Sequence, residues 1–201
     1  ELLARTGELA HVGGWSVDLS SRQLVWTSET FRIHRLPEGQ PPSVEEALAY
    51  YSPESRRRLG RAFLKSRRDG RPFDLEADLL SADGARRRVH VVGCRRLGLG
   101  GRSEIVGAIQ DITARRRNED ALRLRLALVS LSSDYTLDQV LRITLDSIGD
   151  ILHSPIGFYH FVDPDQKSLT LQMWSTSTER DFCHAEGKGS HYAVSDAGVW
   201  A

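Results

Sequence analysis

The stretch Gly107-Ala108-Ile109-Gln110-Asp111-Ile112-Thr113 carries a strand into a helix. Ile105 to Ile112 reads as the strand, and Asp111-Ile112-Thr113 closes it. Thr113 stands as the N-cap of the run from Ala114 to Leu131, which holds no glycine or proline. A carboxylate and a hydroxyl at such a junction can satisfy the free N–H groups of the helix and oppose its dipole.

Upstream, the chain keeps a period of two. Phe73, Leu75, Ala77 and Leu79 alternate with Asp74, Glu76 and Asp78, which predicts a strand with one wet face. Asp83-Gly84 marks a hairpin turn, and Val89, Val91 and Val92 lie in a second strand running to about Leu97. Gly98-Leu99-Gly100-Gly101 then loops to the strand at Ile105, completing a three-stranded antiparallel meander. Nearer the start, Trp15 to Leu19 and Gln23 to Thr27 form a hairpin about Ser20-Ser21-Arg22. Between hairpin and meander lie short helices. Ser28 is the expected cap of the first, Ser43-x-x-Glu46 has the capping-box pattern of a helix through Tyr51, and Pro53 opens another that runs to Gly70.

The first 117 or so residues resemble a PAS domain of the class found in bacterial sensor kinases. The residues that carry the likeness are Gly14-Trp15-x-Val17-Asp18-Leu19, Val25-Trp26-Thr27-Ser28-Glu29-x-Phe31-Arg32-Ile33, Asp83-Gly84, and Gly107-x-Ile109-x-Asp111-Ile112-Thr113. The run Tyr51-Ser52-Pro53-Glu54-Ser55 departs from the His-Pro-Asp-Asp of many relatives, so any role of that His is absent. The resemblance implies signal transfer from sheet to helix through Asp111, Ile112 and Thr113, where a simple helix cap is the alternative. Trp26, Phe31, Ile33, Phe63 and Leu64 are candidates to line a ligand pocket between helices and sheet; a filled core is the alternative. His34 is read as a surface residue rather than a haem ligand. Cys94 is read as a small buried hydrophobe, and the reactive Cys of flavin-adduct sensors has no counterpart.

Beyond Thr113, Leu122, Leu126 and Val129 sit at spacings of four and three, beside a second stripe of Leu124, Leu128 and Leu131. Two stripes predict a helix that meets a partner helix and then a domain. A further helix near Thr136 buries Leu137, Val140, Leu141, Leu145, Ile148 and Leu152. The strands Ile156–Val162 and Leu169–Trp174 follow about the turn at Asp163-Pro164, and Glu186–Tyr192 reads as a loop. Residues from about 134 resemble the first half of a GAF domain, carried by Ile156-Gly157-Phe158-Tyr159-His160-Phe161, Gly187-Lys188-Gly189-Ser190-His191-Tyr192 and Ala197-Gly198-Val199-Trp200. The expected architecture is therefore α+β: a PAS domain with a five-stranded antiparallel sheet over 1–112, a coiled-coil linker helix over 113–133, and a truncated GAF-like α/β unit over 134–201.

Composition excludes several classes. The 201 residues carry 27 basic and 27 acidic groups, with 40% hydrophobic residues, which is an ordinary globular profile. The charge is uneven: residues 1–132 hold 23 basic and 17 acidic groups, residues 133–201 hold 4 and 10. Such a sign change marks a domain boundary. No apolar run long enough for a membrane span and no leader are visible. The start at Glu1 points to a piece of a longer protein, which leaves room for an anchor elsewhere. Cys94 and Cys183 stand far apart, which fits a reducing, cytoplasmic setting. Cys183, His184 and His191 lack a fourth metal ligand, and Cys183-His184 falls too early for bilin attachment. Arg56-Arg57-Arg58, Arg67-Arg68 and Arg86-Arg87-Arg88 read as solvated faces, not as a nucleic-acid surface. No catalytic triad or kinase signature can be assembled.

The expected role is a sensory module, with no cofactor required by the sequence. A small ligand or partner shifts the PAS equilibrium, and the linker helix passes the bias to an output domain in the same chain, of the sensor histidine kinase type. Paired linkers would make a parallel homodimer. The alternatives are a non-sensing dimerisation scaffold and a haem- or flavin-binding redox sensor in a diguanylate cyclase-type protein.

Overall fold

In the computed structural model the described residues are 7, 9–97, 102–131, 135–164, 166–181 and 191–193. The chain separates into two compact units, residues 1–116 and 117–201.

The first unit is built on five antiparallel strands: β1 (Val12–Asp18), β2 (Leu24–Trp26), β3 (Phe73–Leu80), β4 (Arg86–Leu97) and β5 (Ser103–Asp111). Their order across the sheet is β2-β1-β5-β4-β3, so the meander closes against the opening hairpin through β1 and β5. The alternation in the sequence decides the faces. Ala77, Leu79, Val89, Val91, Ile105 and Ile109 are buried, while Glu76, Asp78, Arg88 and His90 point to the other side.

Three helices cross the buried face: α1 (Ser28–His34), α2 (Val44–Ala49) and α3 (Pro53–Asp69). The Ser43/Glu46 capping box forms in full at α2. At α1 the structure corrects the expectation, because Thr27 and not Ser28 is the N-cap, and its side chain caps nothing in the helix. The Thr27 hydroxyl instead accepts the N–H of Gly14 at 2.9 Å, tying α1 to β1. Arg56 is exposed, as expected of a solvated face, and it also bonds backbone. Its guanidinium donates to the carbonyls of Leu48 at 3.0 Å and Ala49 at 2.8 Å, closing the C-terminal end of α2.

One row of residues runs across all five strands: Trp26, Trp15, Gly107, Gly93 and Phe73 are successive register partners. The indole of Trp15 lies over the two glycines and stacks on Phe73, with ring centroids 6.1 Å apart and planes at 24°. A Cβ on Gly93 would stand 2.8 Å from Phe73 Cε1 and 2.9 Å from Trp15 Cη2. Only a residue without a side chain leaves the rings that space.

The helix α4 (Thr113–Leu131) starts in the first unit and continues in the second. The second unit holds α5 (Leu137–Leu152), β6 (Phe158–Val162), β7 (Ser168–Trp174), α6 (Thr176–Asp181) and β8 (His191–Ala193), with its sheet ordered β6-β7-β8. Thr136 and Gln139 close a capping box on α5. The expected loop over Glu186–Tyr192 gives way to strand at His191, and its earlier part, with Cys183 and His184, lies outside the described residues. No described helix is long and apolar enough to cross a membrane.

Candidate ligand site and signalling junction

Between helices and sheet of the first unit lies a cavity of about 630 Å³. Every strand and α1 to α3 contribute to its walls. Trp15, Trp26, Phe63, Phe73 and Tyr51 supply aromatic surface, and Leu48, Leu59, Val91 and Ile109 supply aliphatic surface. Of the expected pocket residues, Trp26, Phe63 and Leu64 line it, with Leu64 61% exposed. Phe31 and Ile33 do not. A helix places i and i+4 on one side, and on α1 those positions are Thr30 and His34, which both line the cavity. Phe31 turns to a second hollow beside Leu36, Pro37 and Tyr50, and Ile33 is buried in the core with Leu79 and Val89.

His34 is the residue that sequence reasoning misplaced. It is 2% exposed. Trp26 stacks on its ring at 4.4 Å and 25°, and Tyr50 and Tyr51 meet it edge-on. Its Nδ1 lies 2.8 Å from the Thr30 carbonyl, and burial pushes its pKa below the ordinary 6.5. The signal was present in its i+4 spacing from Thr30, but that spacing alone does not say which side of α1 meets the sheet. Burial also drives the Tyr51 phenol far above its ordinary range, so it stays a neutral hydroxyl. Cys94 is half-buried and sits on the opposite face of the sheet.

The junction lies two register pairs beyond the cavity-lining Val91–Ile109 pair, where Val89 faces Asp111. The first helical residue is Thr113, not the residue after it, and the Arg116 N–H makes the first turn's bond to the Ile112 carbonyl. Asp111 does the capping: its Oδ1 accepts the Thr113 N–H at 2.9 Å and also the Thr113 hydroxyl proton. The Thr113 hydroxyl in turn accepts the N–H of Arg88 at 2.9 Å, and the Ile112 N–H donates to the Arg88 carbonyl. The Arg87 guanidinium, 17% exposed, holds Asp111 Oδ2 at 2.7 Å. Burial works to raise the Asp111 carboxyl, but the bonds from Thr113 and Arg87 outweigh it and keep the pKa below its ordinary value.

On the opposite face, Arg116 of α4 grips Glu76 with two nitrogens, one at 3.0 Å. Arg88 reaches Glu76 at 3.2 Å and Asp78 at 2.6 Å. The Arg116 bond, then that of Arg88, holds Glu76 below its ordinary range against the raising effect of burial. The basic run Arg86-Arg87-Arg88, expected as a solvated face, is thus largely a set of clamps on the helix start. The expected interhelical stripe, by contrast, is open: Leu122, Leu126 and Val129 are 58%, 63% and 71% exposed. Among the described residues no cluster of metal-ligating side chains forms.

No family model matches the chain. The chain covers 98% of a solved sensory box histidine kinase/response regulator from Burkholderia thailandensis, at 22% identity and a TM-score of 0.52 over 65% of its own length. The shared architecture is a five-stranded antiparallel sheet with short helices. The first unit has the PAS fold. A solved RNA-binding light-oxygen-voltage receptor is similar at 18% identity and a TM-score of 0.50, over 69% of this chain and 40% of that one. In sequence, the chain is 30% identical over 117 residues to the methyl sulfide methyltransferase-associated sensor of Methanosarcina acetivorans. That match takes in 54% of this chain but only 11% of the length of that protein. The PAS unit therefore comprises both the cavity and the clamped helix start.

Proposed function

We propose that this chain is the sensory part of a signalling protein, in which occupancy of the PAS cavity is passed through the Asp111–Thr113 junction into α4. One observation carries the reading. Val91 and Ile109 line the cavity, while Arg88 and Asp111, on the same two strands, hold the start of the helix. A ligand against those strands and the helix start therefore act on one piece of backbone. The ligand shifts the equilibrium only by its unequal affinity for the two states.

The whole protein, in this reading, is of the sensor histidine kinase type, and residues 134–201 open a GAF domain, on the strength of their sequence resemblance. The stripe Leu122, Leu126 and Val129 pairs with that of a second copy, which gives α4 something to rotate against. The rival is a diguanylate cyclase-type output, and the coding sequence beyond codon 201 decides between the two.

The sensory step has its own test. Gly60 lines the cavity, and nothing lies within 4 Å of a Cβ placed there. Gly60→Phe fills the cavity from within. The expected result is changed amide exchange at Arg116 to Leu122 with the PAS sheet still protected. Unchanged exchange there would show that cavity and helix are uncoupled.

A further inference from the structure

The outer side of α3 carries a run of cations without counterions. At about 100° per residue, Arg57, Arg61, Leu64, Lys65 and Arg68 fall on one arc of the helix, with Arg58 at its edge. All of them are exposed. The other side, with Ser55, Leu59 and Ser66, is buried, so the fold fixes which way the cations face. Elsewhere in the first unit arginines are matched: Arg22 pairs with Glu45, Arg32 with Glu29, Arg35 with Asp83 and Arg87 with Asp111. On α3, Arg68 pairs with Asp69, but among the described residues Arg57, Arg58, Arg61 and Lys65 form no ion pair. Arg57 and Lys65 each stand four residues from Arg61, a spacing at which like charges repel and weaken a helix. An anionic partner on this face would remove that repulsion. The basic surface continues past the end of the helix. The Arg95 guanidinium of β4 donates to the Arg67 carbonyl at 3.1 Å. The bond from Arg68, and after it the charges of Arg71 and Lys65, hold Asp69 below its ordinary range.

The apolar residues among these cations narrow the class of partner. Leu64 lies three residues after Arg61 and four before Arg68. Leu97, two residues beyond Arg95, is 75% exposed. A single-stranded nucleic acid takes aromatic platforms on which bases stack. Among the described residues of the first unit the exposed large hydrophobics are Leu9, Val25, Leu64, Leu80 and Leu97, and none is aromatic. Phe63, the ring next to Leu64, lines the cavity instead. Leucines set among cations suit a bilayer surface, where the cations meet anionic headgroups and the leucine enters the acyl boundary. The acidic second unit supplies no ready alternative. Asp146 accepts from Thr176, Glu179 holds Arg142 and Asp181 holds Arg180, all within that unit.

We propose that the outer face of α3 rests on an anionic lipid bilayer, with Arg57, Arg61 and Lys65 on the headgroups and Leu64 inserted beneath them. This docking is independent of what the cavity holds, and it needs no spanning helix.

The test uses the full 201-residue chain and two kinds of vesicle. One is phosphatidylcholine alone, the other phosphatidylcholine with about 30% phosphatidylserine. The chain should sediment with the anionic vesicles and not with the neutral ones, and added salt should release it. Arg57→Gln, Arg61→Gln and Lys65→Gln together should weaken binding about a hundredfold, roughly fivefold for each charge removed. Leu64→Ser should weaken it about tenfold. All four positions are exposed, so circular dichroism should show the fold intact. A second readout needs no variant: vesicles bearing a gadolinium-chelating lipid should broaden the amide resonances of Arg57 to Arg68 before those of β5. Broadening that begins elsewhere would overturn the proposal. So would failure to bind anionic vesicles, or binding that the three Gln substitutions leave unchanged. Leu64→Ser binding as tightly as the unaltered chain would make the face a general polyanion surface and overturn the bilayer assignment. Capture of oligouridylate but not of vesicles would make it a nucleic-acid surface and overturn that assignment too.

Discussion

Asp111 Oδ1 accepts the backbone N–H of Thr113 at 2.9 Å, so the last residue of β5 caps the helix that leaves it. The contact spans a single residue, Ile112, whose own N–H is held by the Arg88 carbonyl of β4. Strand pairing and helix initiation are therefore one hydrogen-bonded unit. Asp111→Ala removes the cap and strips the half-buried Arg87 of its nearest carboxylate. The expected loss is about 1–2 kcal/mol of stability in the first unit, read from the denaturant midpoint. A second effect distinguishes this site from an ordinary cap: amides of α4 just after Thr113 should exchange faster while those of β1 stay protected.

The glycines beneath Trp15 give a steric prediction. Gly93→Ala drives a methyl into the Phe73 ring and the edge of Trp15, Gly107→Ala into Trp15 and the Val92 carbonyl, and each should cost about 1–3 kcal/mol, as overpacking does. Gly60→Ala is the control, since it meets nothing within 4 Å in the middle of α3, and should stabilise by about 0.5–1 kcal/mol. Equal effects at the three positions in thermal melts would refute the packing account.

Acid should loosen the junction before it unfolds the core. Asp111 and Glu76 both lie below their ordinary values of 3.8 and 4.5 in the folded protein. A depressed carboxyl contributes its stability fully above the unfolded value and loses it as the pH falls through the folded one. The helix start should therefore stay clamped above these ordinary values and release only as the pH falls below them. Glu76→Gln should flatten that acid slope in a titration of α4 resonances.

His34 adds a separate slope at milder pH. Burial lowers its pKa, so below the ordinary 6.5 the unfolded chain binds a proton that the folded chain resists. Stability should be whole above pH 6.5 and decline as the pH falls below it. His34→Phe should remove that part of the decline, measured as the difference in denaturant midpoint between pH 7 and pH 5.

The open stripe on α4 predicts an assembly. Leu122→Ser, Leu126→Ser and Val129→Ser together should convert a dimer into a monomer in sedimentation equilibrium, with the PAS unit still folded by circular dichroism. A chain that is monomeric at every concentration before substitution would dispose of the paired-linker reading.

Much of this was legible in the sequence because it is local. The alternation of Phe73 to Leu79, the Ser43/Glu46 box and the Asp111-Ile112-Thr113 turn each depend on neighbours within a few residues. What was missed depends on partners far along the chain. Thr27 bonds Gly14 thirteen residues back, and Arg116 meets Glu76 forty residues away. The period of α1 gave a side to Thr30 and His34 and another to Phe31, but only docking on the sheet decides which side lines the cavity. Of the Arg runs, only Arg87 and Arg88 are partly buried against carboxylates, and nothing local in the sequence marks those partners.

The bare strip of backbone under the Trp15 ring has a consequence for the depth of the cavity above it. The floor of the cavity at that point is one side chain laid like a lid over two glycines. A smaller residue at position 15 would expose the strip and deepen the chamber without moving a strand. One codon thus governs the depth of the cavity, while the clamps on the helix start, at Arg88 and Asp111, need not be rebuilt.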